Sequence, residues 1–207
     1  MKVKLISHTA DPEWLAGYAA AKCYNGKNPC KSLEIAMDGG HESVAEHTTW
    51  TFEIDEVSRV LLAQITRHRL ASYSVQSQRY CGANLAVVTP QSMYSFDLID
   101  DIADVKAAVI RLYEHAIALG VPAEDARYFT LQGGHTGFVM TMNTRELRHF
   151  FALRCCSRAQ WEIRALADEM LRQCKEVAPA LFADAGPGCV RGHCPEGEKS
   201  CGKGRGE

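Results

Sequence analysis

A helix-rich α+β fold with a small antiparallel-type sheet is what this chain predicts, on three observations. Trp50, Phe52 and Ile54 alternate with polar residues over 48–54, the two-residue period of a half-buried strand. Over 98–119, Ile102, Val105, Val109 and Leu112 recur at helical spacing, and Gly120 closes the run. Asn143, with Glu146 three residues on, resembles a capping box placed ahead of Leu147, Phe150 and Phe151.

The remaining elements fill in between. Asp11-Pro12 before Trp14, Leu15 and Tyr18 predicts a capped first helix with proline at its first position. Residues 24–29 are turn-like, and 32–37 read as a short helix stopped by Gly39-Gly40. Val57, Val60, Leu61, Gln64 and His68 keep helical spacing, which predicts a helix over about 56–69. Residues 70–82 carry Ser, Gln and Tyr without a steady period and read as a loop. Val121-Pro122 opens a shorter helix through Arg127 and Tyr128. Gly133-Gly134 breaks the chain before a strand over 137–142. A last long helix is expected over 157–177. Past Phe182 the composition turns to Gly, Cys, Pro and charge, dividing the chain into a main domain, 1–182, and a tail, 183–207.

Composition narrows the function classes. The chain has 207 residues, 46% hydrophobic and 23% charged, which excludes wholesale disorder. Its net charge of −2 argues against coating nucleic acid or a membrane surface by bulk charge. No apolar run reaches the roughly 18 residues a spanning helix needs, and the apolar stretch after Met1 is too short for a signal peptide. Nine cysteines, an odd count, suit reduced thiols in the cytoplasm better than a disulfide framework.

The usual cofactor motifs fail on spacing. Gly133-Gly134-His135-Thr136-Gly137 is not the dinucleotide fingerprint, and Glu198 stands where a phosphate-loop lysine belongs. His41 and His47 are six apart, off one helical face, so a zinc-protease pair is excluded.

The informative stretch is Arg67-His68-Arg69-Leu70-Ala71-Ser72-Tyr73-Ser74-Val75-Gln76-Ser77-Gln78-Arg79-Tyr80. The apolar stripe from Val57 passes into Gln64, Arg67 and His68, so one face turns from apolar to polar. Arginines ending a buried face need anionic partners, because uncompensated buried charge is expensive. Guanidinium pairs bidentately with phosphate or carboxylate, while Gln and Ser supply the neutral hydrogen bonds of a uracil-like ring.

Arg67-His68-Arg69, seven residues, then Ser77 resembles the signature of the flavin-dependent thymidylate synthases. Gly40-His41-Glu42-Ser43 with Glu46-His47, Asn143-x-Arg145, Leu153-Arg154 and Arg158-Ala159-Gln160-Trp161-Glu162 extend the likeness over roughly 40–165. The resemblance implies an enzyme that makes dTMP from dUMP, with methylenetetrahydrofolate as carbon donor and FAD reduced by NADPH. It implies an α+β homotetramer with active sites shared between subunits.

Carried over by position, Ser43, Arg67, His68, Arg69, Asn143, Arg145 and His149 would bind FAD. Gln64, Arg67, Val75, Gln76, Ser77, Gln78, Arg79, Arg127 and Arg154 would bind dUMP, with Arg154 polarising the uracil as the catalytic residue. Two departures matter. His149 stands where some relatives have Asn, and either side chain donates a hydrogen bond. Val75 stands where Glu or Gln is common, which leaves a backbone contact there. Ser77 is read as a binding residue, because no His-Asp pair is identifiable to activate it. Tyr73 and Tyr80 are candidate stacking partners for the folate.

Two other readings are weighed. A nucleic-acid-binding module built on residues 67–79 lacks net positive charge and an aromatic stacking motif. A thiol enzyme on Cys155-Cys156 gives way to inert packing, because neighbouring helical side chains point about 100° apart and Phe150-Phe151 suggests a buried setting. In the tail, Cys189, Cys194 and Cys201, with His193, are candidates for a structural zinc. A mobile tail is the alternative.

Overall fold

The structure is a computed structural model that describes residues 1–192 and 194–202; His193, considered above with the tail thiols, and 203–207 lie outside the described residues. In chain order, β1 (Lys2–His8), α1 (Pro12–Tyr24), α2 (Pro29–Asp38) and a 3-10 turn (Glu42–His47) lead into β2 (Thr49–Ser58). Then come α3 (Arg59–Ile65), β3 (Ala71–Val75), α4 (Gln91–Ser95), α5 (Ile99–Ala118) and α6 (Ala123–Ala126). β4 (His135–Asn143), α7 (Thr144–Arg154) and α8 (Trp161–Val177) complete the fold. The four strands form one small antiparallel sheet in the order β1-β2-β4-β3, so the α+β expectation holds. Among the described residues no helix is long and apolar enough to cross a membrane.

Contacts divide the chain into two compact units. The first comprises Met1–Lys2, Ile54–Thr66 and Ser74–Phe138; the second comprises Val3–Glu53, Arg67–Tyr73 and Val139–Glu207.

In the first unit β2 runs on past the expected strand end, and the helix expected over 56–69 shrinks to α3. Glu56 takes a left-handed φ of 57°, Val57 is buried, and the Ser58 hydroxyl accepts the Leu61 N–H at 3.0 Å, capping the helix there. At its other end Thr66 bonds back to the Leu62 carbonyl and closes it. The segment read as loop contains β3, a short strand in which Ala71, Tyr73 and Val75 alternate with Ser72 and Ser74 while most of its residues stay exposed. The 98–119 helix is present as α5, yet only its Tyr113 is buried, and Val105, Leu112 and Ile117 stay open. Tyr113 accepts the Ala83 N–H at 2.9 Å. Gly137 of β4 lies against Asp55 of β2, where a Cβ would come within 2.1 Å of the carboxylate. In the second unit Thr51 of β2 and Thr141 of β4 face each other with hydroxyls 3.0 Å apart, in the register of an antiparallel pair.

The second unit holds the larger core. Trp50, Leu147, Phe150, Phe151, Ile163, Leu166, Met170 and Phe182 are fully buried. Phe182 meets Trp50 edge-on at 5.2 Å, and the indole N–H donates to Thr144 at 2.6 Å. Asp11 and Asn28 cap α1 and α2, each followed by proline. α8 begins at Trp161 rather than 157, because the Gln160 side chain accepts the Glu162 and Ile163 N–H groups. Arg148, 1% exposed, is gripped by Glu42, Asp184 and the Leu181 carbonyl. Arg191 of the tail pairs with the same two carboxylates, Glu42 and Asp184. Burial pushes the Asp184 carboxyl up, but Arg148 and Arg191 outweigh it and hold the group below its ordinary value.

Candidate active site

The sequence placed Arg67, His68 and Arg69 on a helix end; the structure places them in the turn that follows α3, because Thr66 has already closed that helix. Within the second unit this turn separates its charges by direction. His68 points inward and is buried, while Arg67 and Arg69 are exposed. Among the described residues neither arginine makes an ion pair.

Tyr73 holds the turn by donating to the His68 carbonyl at 3.0 Å. Burial and the Glu146 charge push its phenol well up, so it remains a donor. The His68 ring lies edge-on to Phe150, with centroids 5.0 Å apart. Glu146 Oε1 is 3.2 Å from His68 Nδ1, and Arg154 Nε donates to His68 Nε2 at 3.2 Å. Burial lowers the His68 pKa most, Glu146 opposes it, and the Arg154 and His149 charges add to the lowering. Burial and the Arg67 charge lower that of Arg154. Cations are therefore crowded here without matching carboxylates at Arg67 and Arg69.

The other flavin candidates lie on α7 and on the 3-10 turn of the same unit. Asn143 caps α7, its Oδ1 accepting the Glu146 N–H at 2.8 Å, so its amide N–H groups remain for a ligand. Arg145 and His149 share the exposed face of α7, as their spacing of four predicts, and Arg145 is paired with Glu46. Ser43 is exposed on the 3-10 turn over Glu42–His47.

The first unit carries most of the nucleotide candidates. Gln76 N–H donates to the Gly137 carbonyl, and Ser77 Oγ accepts the Arg79 N–H, a local turn that presents Gln78 and Arg79 together. Arg79 lies over the Tyr80 ring and pairs with Glu124 at 2.5 Å, and Arg127 Nε donates to the Glu124 carbonyl at 3.0 Å. A polar cleft of about 230 Å³ is lined by Arg59, Gln78, Arg127, Tyr128, Thr130, Leu131 and Gln132. Gln78 is buried and its Nε2 finds no partner among the described residues, an amide waiting for an acceptor. Gln64 does not line this cleft; its amide turns back onto the Val60 carbonyl. Val75, exposed at the end of β3, offers no polar side chain.

Arg59 was missed by sequence reasoning. Its signal was a cation in the first turn of a helix, where the backbone dipole disfavours positive charge. Of the nucleotide set, Arg67 and Arg154 alone belong to the second unit, which also contains the whole flavin set.

A family model described as thymidylate synthase complementing protein matches residues 4–180. A flavin-dependent thymidylate synthase of Geobacter sulfurreducens is 45% identical, the match covering 98% of this chain and 94% of the relative. The protein of that name from Clostridium tetani is 39% identical over the same shares. That from Pyrococcus abyssi is 44% identical over 96% of this chain and 91% of its own. The chain belongs to the flavin-dependent thymidylate synthase family. As a member of that family it is an enzyme. The Arg67-His68-Arg69 turn and the Gln78 cleft are where its candidate ligand-binding groups gather.

Proposed function

We propose that the enzyme makes dTMP by reductive methylation of dUMP, taking the carbon from methylenetetrahydrofolate and using FAD reduced by NADPH. The observation that carries this reading is the set of unmatched donors: the Arg67 and Arg69 guanidiniums and the buried Gln78 amide. Two anionic ligands with a polar ring supply what those donors lack.

FAD fits the donor set of the second unit. Arg67, Arg69, Arg145 and His149 are exposed, a chemistry suited to the cofactor's phosphates, and Ser43 and Asn143 add neutral contacts, while the His68 ring, engaged by Glu146 and Arg154, supports the turn from inside. When bound, the flavin supplies hydride transfer. The chain's own residues position and polarise. Gln64, Arg67, Gln76, Ser77, Gln78, Arg79 and Arg127 hold dUMP, a backbone contact at Val75 completes the set, and Arg59 joins it through the shared cleft. Arg154 stabilises the charge that develops as the uracil C5 attacks the methylene carbon. Ser77 binds rather than attacks: its oxygen accepts the Arg79 N–H, and no base contacts it among the described residues.

We further place the enzyme in the cytoplasm as a homotetramer with shared sites, a reading supported by the uncovered apolar stripe of α5 and by nine cysteines outside any disulfide. The tail, 183–207, is distinguished from the 1–182 domain by its composition in this reading, with a structural zinc on Cys189, Cys194 and Cys201. Supporting it, those three thiols and Cys156 line one cavity. Against it, no three His, Cys, Asp or Glu side chains converge on one point among the described residues. Elemental analysis settles the zinc.

The test of the main reading is a visible absorption spectrum of the protein reconstituted with FAD and titrated with dUMP. A flavin band that shifts on dUMP addition supports one shared site, and failure to bind flavin overturns the reading.

A further inference from the structure

Glu146 stands at the third position of α7, where a capping box would turn its carboxylate back onto Asn143. Only half of that box forms. Asn143 caps the Glu146 N–H, while the Glu146 carboxylate reaches His68 Nδ1 instead. Both side chains are almost wholly shielded, 5% exposed for His68 and 9% for Glu146.

The other ring nitrogen decides the protonation state. Arginine has N–H groups and no acceptor, so the contact from Arg154 Nε requires a lone pair on His68 Nε2. A ring with that lone pair carries its proton on Nδ1, where the Glu146 oxygen accepts it. The two contacts together admit one state of the imidazole, neutral with Nδ1–H. Burial, the leading cause of the lowered His68 pKa, favours the same neutral ring.

We propose that Glu146 is a positioning residue: by fixing the tautomer of His68 it aims the Arg154 guanidinium at the substrate. The idea rests on Arg154 being the group that meets the uracil. Among the described residues, the charged or titratable groups around the ring come from α7, β3 and its own turn. Glu146, His149 and Arg154 approach from α7, the Tyr73 hydroxyl from β3, and Arg67 precedes the ring in its own turn. Protonation would set an N–H against the Arg154 N–H and expel the guanidinium. Activity therefore falls in acid as His68 charges, and the fall belongs to the enzyme rather than to any substrate.

The experiment is nitrogen NMR of the flavin-loaded full chain labelled at histidine, with the His68 signals assigned by their loss in His68→Gln. A neutral Nδ1–H ring at pH 7, still neutral below the usual histidine range, is expected. An Nε2–H tautomer or a cationic ring at pH 7 overturns the proposal, and this measurement needs no variant of Glu146 to fold.

Glu146→Gln removes the charge that raises the His68 pKa. It should move the acid limb of kcat to lower pH and cut kcat on the order of tenfold, with the KM for dUMP changed by less than about threefold. Glu146→Asp, which keeps a carboxylate, should recover part of the loss. An unmoved acid limb, or wild-type kcat in Glu146→Gln, refutes the positioning role. Failure of the underlying reading looks different: full turnover in Arg154→Ala removes Arg154 from the chemistry while the His68 tautomer stays as measured.

Discussion

Arg148 and Arg67 lie in the same unit and show two uses of one side chain. Arg148 is 1% exposed, and the fold supplies its counter-charges, Glu42 and Asp184, along with the Leu181 carbonyl. Arg67 is exposed, has no carboxylate partner among the described residues, and bears on Arg154 as a like charge. A guanidinium whose counter-charge is built in fastens the fold; one whose counter-charge must arrive from outside marks a binding site. The difference is not in the residue type but in what the chain places opposite it.

Four experiments break or sharpen that contrast. The largest effect is expected of Arg148→Met, which removes a buried guanidinium from Glu42, Asp184 and the Leu181 carbonyl and leaves Arg191 to face the two carboxylates. It should cost about 1–3 kcal/mol in urea unfolding as the buried Leu181 carbonyl and the two carboxylates lose their donor, and a loss under about 0.5 kcal/mol would remove the contrast. Arg67→Ala should do the reverse. Its stability should stay within about 0.5 kcal/mol, while flavin or dUMP affinity falls at least about tenfold, the loss of one charged hydrogen bond. Calorimetric titration reads it, and unchanged affinity would deny Arg67 its role.

The third experiment uses pH. The folded-state pKa of Asp184 lies below its ordinary 3.8. Its contribution is thus present above about pH 4 and lost as pH falls through the lower folded value. Asp184→Asn should flatten that part of the acid-unfolding curve; an identical slope in the variant would show that Asp184 does not drive it. The smallest effect belongs to Glu46→Gln, which frees the exposed Arg145. Melting should not move measurably, and FAD should bind severalfold tighter if Arg145 is a ligand. Weaker binding would mean that Glu46 itself touches the cofactor.

Much of the fold was legible where burial imposes a period. The stripe of α7, the alternation of β2 and the capped entries to α1 and α7 follow from residues with one dry face, whereas the apolar stripe of α5 keeps helical spacing with only Tyr113 buried. β1 and β3 were not read, because they are the outer strands of the sheet and mostly exposed. α3 was drawn too long because Val57 fits a helical stripe and a buried strand end equally well. At the site, motif order pointed to the arginines. It could not say which of them are matched: the Arg148 partners come from Glu42 and Asp184, far away in sequence. Nor could spacing reveal that Glu146 completes a contact outside its own helix.

The bare Cα of Gly137 has a further consequence for the sheet. Its hydrogen faces the Asp55 carboxylate at a point where a Cβ would stand 2.1 Å away. If β4 slipped by one or two residues against β2, Thr136, Phe138, His135 or Val139 would bring a side chain to that point. Each misalignment would drive carbon into the carboxylate. The strand pair is in this sense proofread by a missing methyl group, which admits one alignment and rejects its neighbours.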